Sequence, residues 1–482
     1  MTWIALKMLV GDRAKFVGIV IGLTFAAALI MQQGSIFCGL MMRTCAQISD
    51  IKGADLWVMD PSVRFVDDVK PMLESNLQRV RGVDGVKWAV PLYKGNGRAK
   101  LVFSPADMKA RTYPAEQLEA DRRAPHGPPS NPFTKVLDFL VPGIESPPAP
   151  PARWHDTDLI NVIEQVIVLG VDDSSMVGAP ERNPMIGPTP DGKPNGKLLV
   201  GDLEDLRRPD SIIVDRVGLR KLFPGCHLDE PFESPRETDE AYLERLRRFV
   251  AAAPEIEMND HRAILVGVCE ATRTFQSNPV AYTLYSRARQ YLPMERKVLS
   301  FILVQTADGP DGTKIPPAVV AERIQEQTGL GARTSENFMY RTIKYYLVYT
   351  GIPINFGITV FLGFLVGTAI AGQTFYNFTI ENLKQFGALK AMGASNLRIV
   401  GMILLQAATA GLLGYGIGVG LSTLFGLRVA TGWHGQPAEL AYLTPWQLLP
   451  TTAAAIIAIC VLASLISVQR VIRLEPAIVF RS

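Results

Sequence analysis

Much of what usually announces chemistry is missing from this 482-residue chain. Its five cysteines are scattered and form no CxxC pair, which leaves neither a dithiol redox motif nor a cysteine zinc site. The histidines, His126, His155, His227, His261 and His434, have no metal-ligand spacing. No Ser–His–Asp or Cys–His arrangement can be read locally, and acid pairs such as Asp172–Asp173 and Glu204–Asp205 read as surface turns. A net charge of +3 gives no reason to expect nucleic acid. The stretch GPTPDGKP (187–194) has the outline of a phosphate-binding loop, but Pro194 stands where a Ser or Thr should hold Mg²⁺. Proline there also suits poorly the helix such a loop opens, so the stretch reads as a turn.

Charge is also absent over four long windows, and that absence is informative. Mean hydropathy is +0.15 although 20% of residues are charged, which fits a minority of membrane-spanning sequence beside a large polar part. About 20 helical residues cross a bilayer core. The charge-free windows are 16–42, 345–380, 399–427 and 447–469. Gln32, Gln33 and Ser35 replace a clean cleavage site after the first run, which is therefore expected to remain as an anchor. Ahead of it, in residues 1–15, Trp3, Leu6 and Val10 share a helical stripe suited to the membrane surface. Lys7, Arg13 and Lys15, then Lys384, Lys390 and Arg398, then Arg470, Arg473 and Arg481 flank the runs. The 428–446 loop has only Arg428, opposed by Glu439. The excess of basic flanks puts both termini and the 381–398 loop in the cytoplasm and residues 43–344 outside. The sequon NFT (377–379) then falls on the wrong side and is discarded. With no ionisable group in any run, an aqueous ion pathway is a poor fit. The runs instead offer small residues at packing spacing: Gly18/Gly22, Gly363/Gly367, Gly414/Gly418 and Gly416/Gly420, serving contacts within the chain or between copies.

The outer region begins and ends alike. DLWVM reads as a strand, a helical face follows at Val69, Leu73, Leu77 and Val80 with Gly82 as its stop, and VKWAVPLY alternates as a strand. Near the far end, FILVQ, a helix over Pro317 to Thr328 stopped by Gly329, and GARTSENF repeat the scheme. The two units, at about 50–100 and 295–340, predict a split α/β module. The insert between them (about 100–295) opens with a proline-rich stretch, 122–153. It continues with strand-like VIVLGV, SIIVD and AILVGV, and so reads as mainly β. YLERLRRFV (242–250) predicts a helix whose arginines form a solvated face. Cys226 and Cys269 lie here, as a disulfide or, the preferred reading, as unpaired small apolar residues. Cys38 and Cys460 lie within apolar runs and Cys45 follows the first. The fold class is thus a membrane α-helical chain of four transmembrane helices, with a large α+β extracytoplasmic domain between helices 1 and 2.

The short loop ENLKQFGALKAMGAS (381–395) places Leu383, Phe386, Leu389 and Met392 near one helical stripe. Glu381 can pair with Lys384, Gly393 is a natural stop, and Ser395 can cap the next helix. An exposed amphipathic helix needs a cover, which periodicity alone leaves open between lipid headgroups and a partner protein.

KQFGALKAMGASNLRIVGMILLQAATAGLLGYGIG (384–418) resembles the signature segment of FtsX-like ABC-transporter permeases of the MacB/LolC/LolE type. The tail RVIRLEPAIVFR (470–481), with Glu475-Pro476-Ala477, resembles that family's ending. One span, a large outer domain and three further spans match its layout. GADLWV (53–58), RRPDSIIVDR (207–216) and FQSNPVAYTLYSRA (275–288) resemble the DevC-like branch, known for glycolipid export. The resemblance implies a permease subunit that binds no cofactor itself, ATP and Mg²⁺ residing on a separate ABC ATPase. It implies that 381–395 is the coupling helix, with Glu381, Leu383, Lys384, Phe386, Lys390 and Met392 as ATPase contacts shaped by Gly387 and Gly393. It further implies a homodimer in a bacterial inner membrane, a periplasmic adaptor, with or without an outer-membrane channel, and ATP-driven movement of the outer domains. Two other readings are an FtsX-type regulator of cell-wall hydrolases and a membrane-anchored enzyme with its site in the outer domain.

Overall fold

The computed structural model describes residues 2–112, 159–180, 198–224, 226, 239–291, 299–431 and 440–472. The proline-rich stretch, the 187–194 turn, His126, His155, His227, His434 and the tail from 473 lie outside them. Two compact units emerge, Met1–Arg43 with Lys344–Ser482, and Thr44–Ile343. In chain order the helices and strands begin with α1 (Thr2–Gly11), α2 (Arg13–Thr44), α3 (Ala46–Asp50), β1 (Leu56–Met59), α4 (Ser75–Arg81), β2 (Val86–Phe103) and α5 (Pro105–Thr112). They continue with β3 (Ile160–Val171), β4 (Leu198–Val200), β5 (Ser211–Asp215), α6 (Arg216–Leu222), α7 (Asp239–Ala252), β6 (Ile256–Met258), β7 (His261–Cys269), β8 (Val280–Leu284) and α8 (Tyr285–Ala288). After β9 (Phe301–Thr306), α9 (Pro317–Thr328) and β10 (Gly331–Thr334) come α10 (Ser335–Tyr349), α11 (Ile352–Glu381), α12 (Leu383–Ala391), α13 (Asn396–Thr431) and α14 (Leu448–Ile472).

In the Thr44–Ile343 unit the two terminal strand–helix–strand segments share one antiparallel sheet, ordered β10–β1–β9–β2. Numbered among themselves these strands run 4-1-3-2, the split βαβ arrangement. Strand β2 is long enough to serve two sheets. Its first part pairs with β9, and from Tyr93 onward it pairs with β3. Pairings β2–β3–β8–β5–β7–β6–β2 then return to their starting strand, so the insert's strands form a closed ring. Period-two alternation sorts the side chains. Trp57, Phe301 and Leu303 meet Ile167, Leu169, Ile213 and Tyr282 in the core between the two sheets. Leu56, Val58, Ile302 and Val304 take Val320 and Ile324 of α9 on the other side. Val166, Val168, Ile212 and Val214 take Leu219, Leu246 and Phe249 from α6 and α7.

Some local expectations change. The helix expected from Val69 begins only at Ser75, because Met72 bridges to Leu299 as extended chain and leaves Leu73 exposed. Helix α9 spans Pro317–Thr328, and Gly329 closes it at φ +73°, a left-handed position that suits glycine. In α7, Arg247 and Arg248 are exposed beside Glu244, but Arg245 is buried with its guanidinium over the Tyr242 ring, so the face is not uniformly solvated. Cys226 and Cys269 are both buried, form no disulfide with each other, and belong to different cores.

Asp215 ties this unit together. One carboxylate oxygen accepts the Gly218 amide at 2.9 Å and the other accepts the Val280 amide at 2.7 Å. Burial nevertheless pushes its carboxyl from 3.8 up to about 6. A raised carboxyl favours the folded state fully below the unfolded value, and that contribution is lost as pH rises through about 6. A displacement of this size corresponds to about 3 kcal/mol. Asp215→Asn keeps one acceptor oxygen and should be less stable at every pH. The stability difference between wild type and variant should change by about 3 kcal/mol between pH 3.5 and 7, as measured by denaturant unfolding. A constant difference would show that Asp215 ionises normally.

The other unit holds four helices long and apolar enough to cross a membrane: Arg13–Thr44, Ile352–Glu381, Asn396–Leu427 and Leu448–Gln469. The second does not begin at Tyr345 as expected. Helix α10 ends at Tyr349, where Thr350 Oγ1 donates to Tyr346 O at 2.5 Å and accepts the Ile352 amide. Pro353 has no N–H to continue the α10 ladder, and it suits the first turn of the new helix α11. Glycines let α2 lie close to two neighbours. A Cβ on Gly367 would stand 2.5 Å from Ala26 Cβ, and one on Gly363 2.7 Å from Leu29 Cδ2. From α13, Gly414 meets Leu23 and Gly418 meets Ala27, each at 2.6 Å. Gly22 faces Ile370 Cγ2 at 2.6 Å and Gly18 faces Thr374 at 3.9 Å. Among the described residues nothing lies within 4 Å of a Cβ on Gly416 or Gly420.

Candidate functional site

The corner joining α11, α12 and α13 carries all eight residues expected to couple to an ATPase. Helix α11 runs to Glu381, so this residue ends a spanning helix instead of opening the short one. Asn382 makes the joint: its side-chain amide donates to Phe378 O at 2.8 Å, and its carbonyl accepts the Phe386 amide at 3.1 Å. Helix α12 ends with two backbone bonds. The Gly393 amide donates to Lys390 O at 3.1 Å and the Ala394 amide to Leu389 O at 3.0 Å. With Gly393 at φ +91° this is a Schellman stop, a conformation that a β-carbon would strain. The Ser395 carbonyl then accepts the Arg398 and Ile399 amides as α13 starts.

The cover for the apolar stripe comes from the chain itself. Phe386 is 0% exposed, packed with Ile399, Ile403 and Val468, with Met8 and Leu383 alongside. Leu389 packs with Ala5 of α1 and Met402 of α13. Gly387 is buried in the same helix. Helix α1 is fixed to this floor by a side chain in the spanning region, for buried Gln406 donates to Ala5 O at 2.8 Å. Phe386, expected as an ATPase contact, is therefore an interior residue of the corner covered by the chain itself, and Gly387, expected to shape the helix, is buried with it. The reason is spacing: the stripe that could face outward also matches the grooves of α1 and α13.

Glu381 does not pair with Lys384. It meets Lys15, which also binds Asp12 at 2.6 Å, so one cation ties the start of α2 to the end of α11. The Lys15 bond holds the Asp12 carboxyl below its usual range. The surface left for another molecule is the outer tip. Met392 is 76% exposed and Leu397 84%, with exposed Lys384 and Arg398 near them in sequence. Leu383 and Lys390 are half-buried. Leu397 escapes a reading based on periodicity because it sits in the first turn of a long apolar helix, where it looks like more of the span. Its one signal is its position between Asn396 and Arg398. Among the described residues no group of three His, Cys, Asp or Glu could hold a metal ion.

Residues 357–476, about a quarter of the chain, match the family model described as FtsX-like permease C-terminal. That segment contains the whole corner with most of α11 and all of α14. No curated protein matches the sequence. Two solved structures show similarity to the chain. The extracellular domain of the noncanonic ABC-type transporter YknZ from Gram-positive bacteria has 12% identity and a TM-score of 0.25, covering 58% of this chain and 99% of that one. The periplasmic region of MacB from Actinobacillus actinomycetemcomitans has 11% identity and a TM-score of 0.30, covering 63% and 96%. At such scores these likenesses add nothing to the functional reading.

Proposed function

We propose that this chain is the membrane-spanning permease subunit of an ABC transporter and that a separate ATPase seats on the tip of the α12–α13 corner. The observation that carries the reading is the match of 357–476 to an FtsX-like permease C-terminal segment, with an exposed apolar tip inside the matched region. Met392 and Leu397 are the apolar contacts a protein groove would bury, and Lys384 and Arg398 supply charge beside them. A buried corner suits this work. Phe386 and Leu389 bind α12 to α1, α13 and α14, so force on the tip reaches the spanning helices without loss in a soft loop. Spans without ionisable groups fit a part that transmits motion better than one that conducts. The same reading includes MacB-type export of a lipid, glycolipid, peptide or drug through a periplasmic adaptor, a homodimer, an inner-membrane setting with both termini cytoplasmic, and kinship with the DevC-like branch.

The test is the double variant Met392→Asp with Leu397→Asp, on residues whose exposure makes folding insensitive to the change. Melting of the purified permease should be unchanged, while the ATPase that co-purifies from native membranes should fall by at least tenfold. Undiminished co-purification would remove the tip as the docking site.

A further inference from the structure

A groove of about 610 Å³ lies beside the corner, between α1, the start of α2 and the junction of α11 with α12. Its walls include Trp3, Lys7, Asp12, Glu381, Asn382 and Gln385. Charge is divided between them. On one wall Lys7 holds its ammonium 4.0 Å from the centre of the Trp3 ring, and among the described residues it has no carboxylate partner. On the other wall two carboxylates, Asp12 and Glu381, share the single cation of Lys15, leaving one negative charge over. The groove is therefore dipolar, with no net charge in excess.

Its depth is also defined. The charge-free run of α2 starts at Phe16 and that of α11 ends at Ile380, and both helices reach the groove at those ends. This is the level at which hydrocarbon gives way to headgroups, where exposed tryptophan is favoured. Trp3 is 65% exposed and Val10 52%. Immediately inward, Val17, Ile21 and Phe25 present one exposed apolar face of α2, along which acyl chains can lie.

We propose that this groove binds the headgroup of a phospholipid carrying a primary amine, of the phosphoethanolamine type. The phosphate pairs with Lys7, and the ammonium donates hydrogen bonds to the Asp12–Glu381 wall. A choline headgroup has the same charges but no N–H to donate, and a glycerol headgroup brings no cation, so neither satisfies both walls. The apolar face of α2 selects the lipid over the free headgroup. The inference needs only α1, the start of α2 and the α11–α12 junction, and stands apart from coupling to an ATPase.

The experiment is native mass spectrometry of the full chain in detergent, titrated with phosphatidylethanolamine, phosphatidylcholine and phosphatidylglycerol of equal acyl composition, and with water-soluble phosphoethanolamine as competitor. The ethanolamine lipid should bind at least tenfold more tightly than the other two. Lys7→Glu and Glu381→Gln should each abolish that preference, and Lys7→Arg should keep it. Lys7 is exposed, so its variants report binding without loss of fold. Equal binding of all three lipids, tightest binding of the glycerol lipid, or a preference that survives both variants would overturn the site. Full displacement by soluble phosphoethanolamine at equal concentration would overturn the lipid as its source.

Discussion

Phe386→Asp is expected to unfold the α11–α12–α13 corner of the spanning unit and to leave little protein to purify. The ring is wholly enclosed by Ile399, Ile403 and Val468. Truncating such a ring costs about 3–5 kcal/mol in lost burial and residual cavity. The new carboxyl adds several kcal/mol, because it is either buried charged with no partner or held neutral at the expense of its pKa. The sum approaches the whole stability of a typical domain, about 5–15 kcal/mol. Detergent-solubilised yield and thermal melting should both collapse, whereas Phe386→Leu, which keeps the site apolar, should melt within a few degrees of wild type. A Phe386→Asp protein that purified and melted normally yet failed to hold its ATPase would show the ring facing a partner after all. Lost binding in this variant would otherwise carry no information about coupling, which is why the exposed tip is the place to test it.

That contrast shows how far the sequence could be read. Charge-free length located the four spans, since a bilayer sets that length physically, and Gly329 and Gly393 closed their helices where a left-handed residue was expected. The split module was legible because strand–helix–strand units carry two different hydrophobic periods. Periodicity reports that a face is apolar but not what covers it. Leu383, Phe386 and Leu389 satisfied one pattern whether the cover was lipid, a partner or the chain itself, and only the placement of α1 and α13 decided between them. Pairing failed similarly for Glu381. A local i,i+3 partner was available in Lys384, but Lys15, 366 residues earlier, took its place. The closed ring of pairings in the insert was not legible at all, since it depends on long-range register through the three-residue strand β6.

The glycine pairs make the second large prediction. Gly414/Gly418 and Gly416/Gly420 are equivalent in sequence, each a small residue four before another on the same helix. In space they differ completely. A β-carbon on Gly418 would meet Ala27 Cβ at 2.6 Å and, harder to move, the backbone Thr24 O at 2.8 Å and Ala28 N at 2.9 Å. Gly418→Leu cannot be absorbed by a rotamer change, so α2 and α13 must separate along their length. Overpacking of this kind costs about 1–3 kcal/mol where side chains can yield, and more where backbone is met. A destabilisation of about 3 kcal/mol or greater is expected, read as a large drop in melting temperature in detergent. It should be accompanied by loss of cross-linking between cysteines placed at Ala27 and Gly418 neighbours on the facing turns. Gly416→Leu meets nothing within 4 Å among the described residues and should leave the melting temperature of the separated chain unchanged. If Gly416 and Gly420 instead pack a second copy, the same substitution will shift the oligomer toward monomer without lowering the stability of that monomer. Equal destabilisation by Gly416→Leu and Gly418→Leu would contradict the packing of α2 against α13.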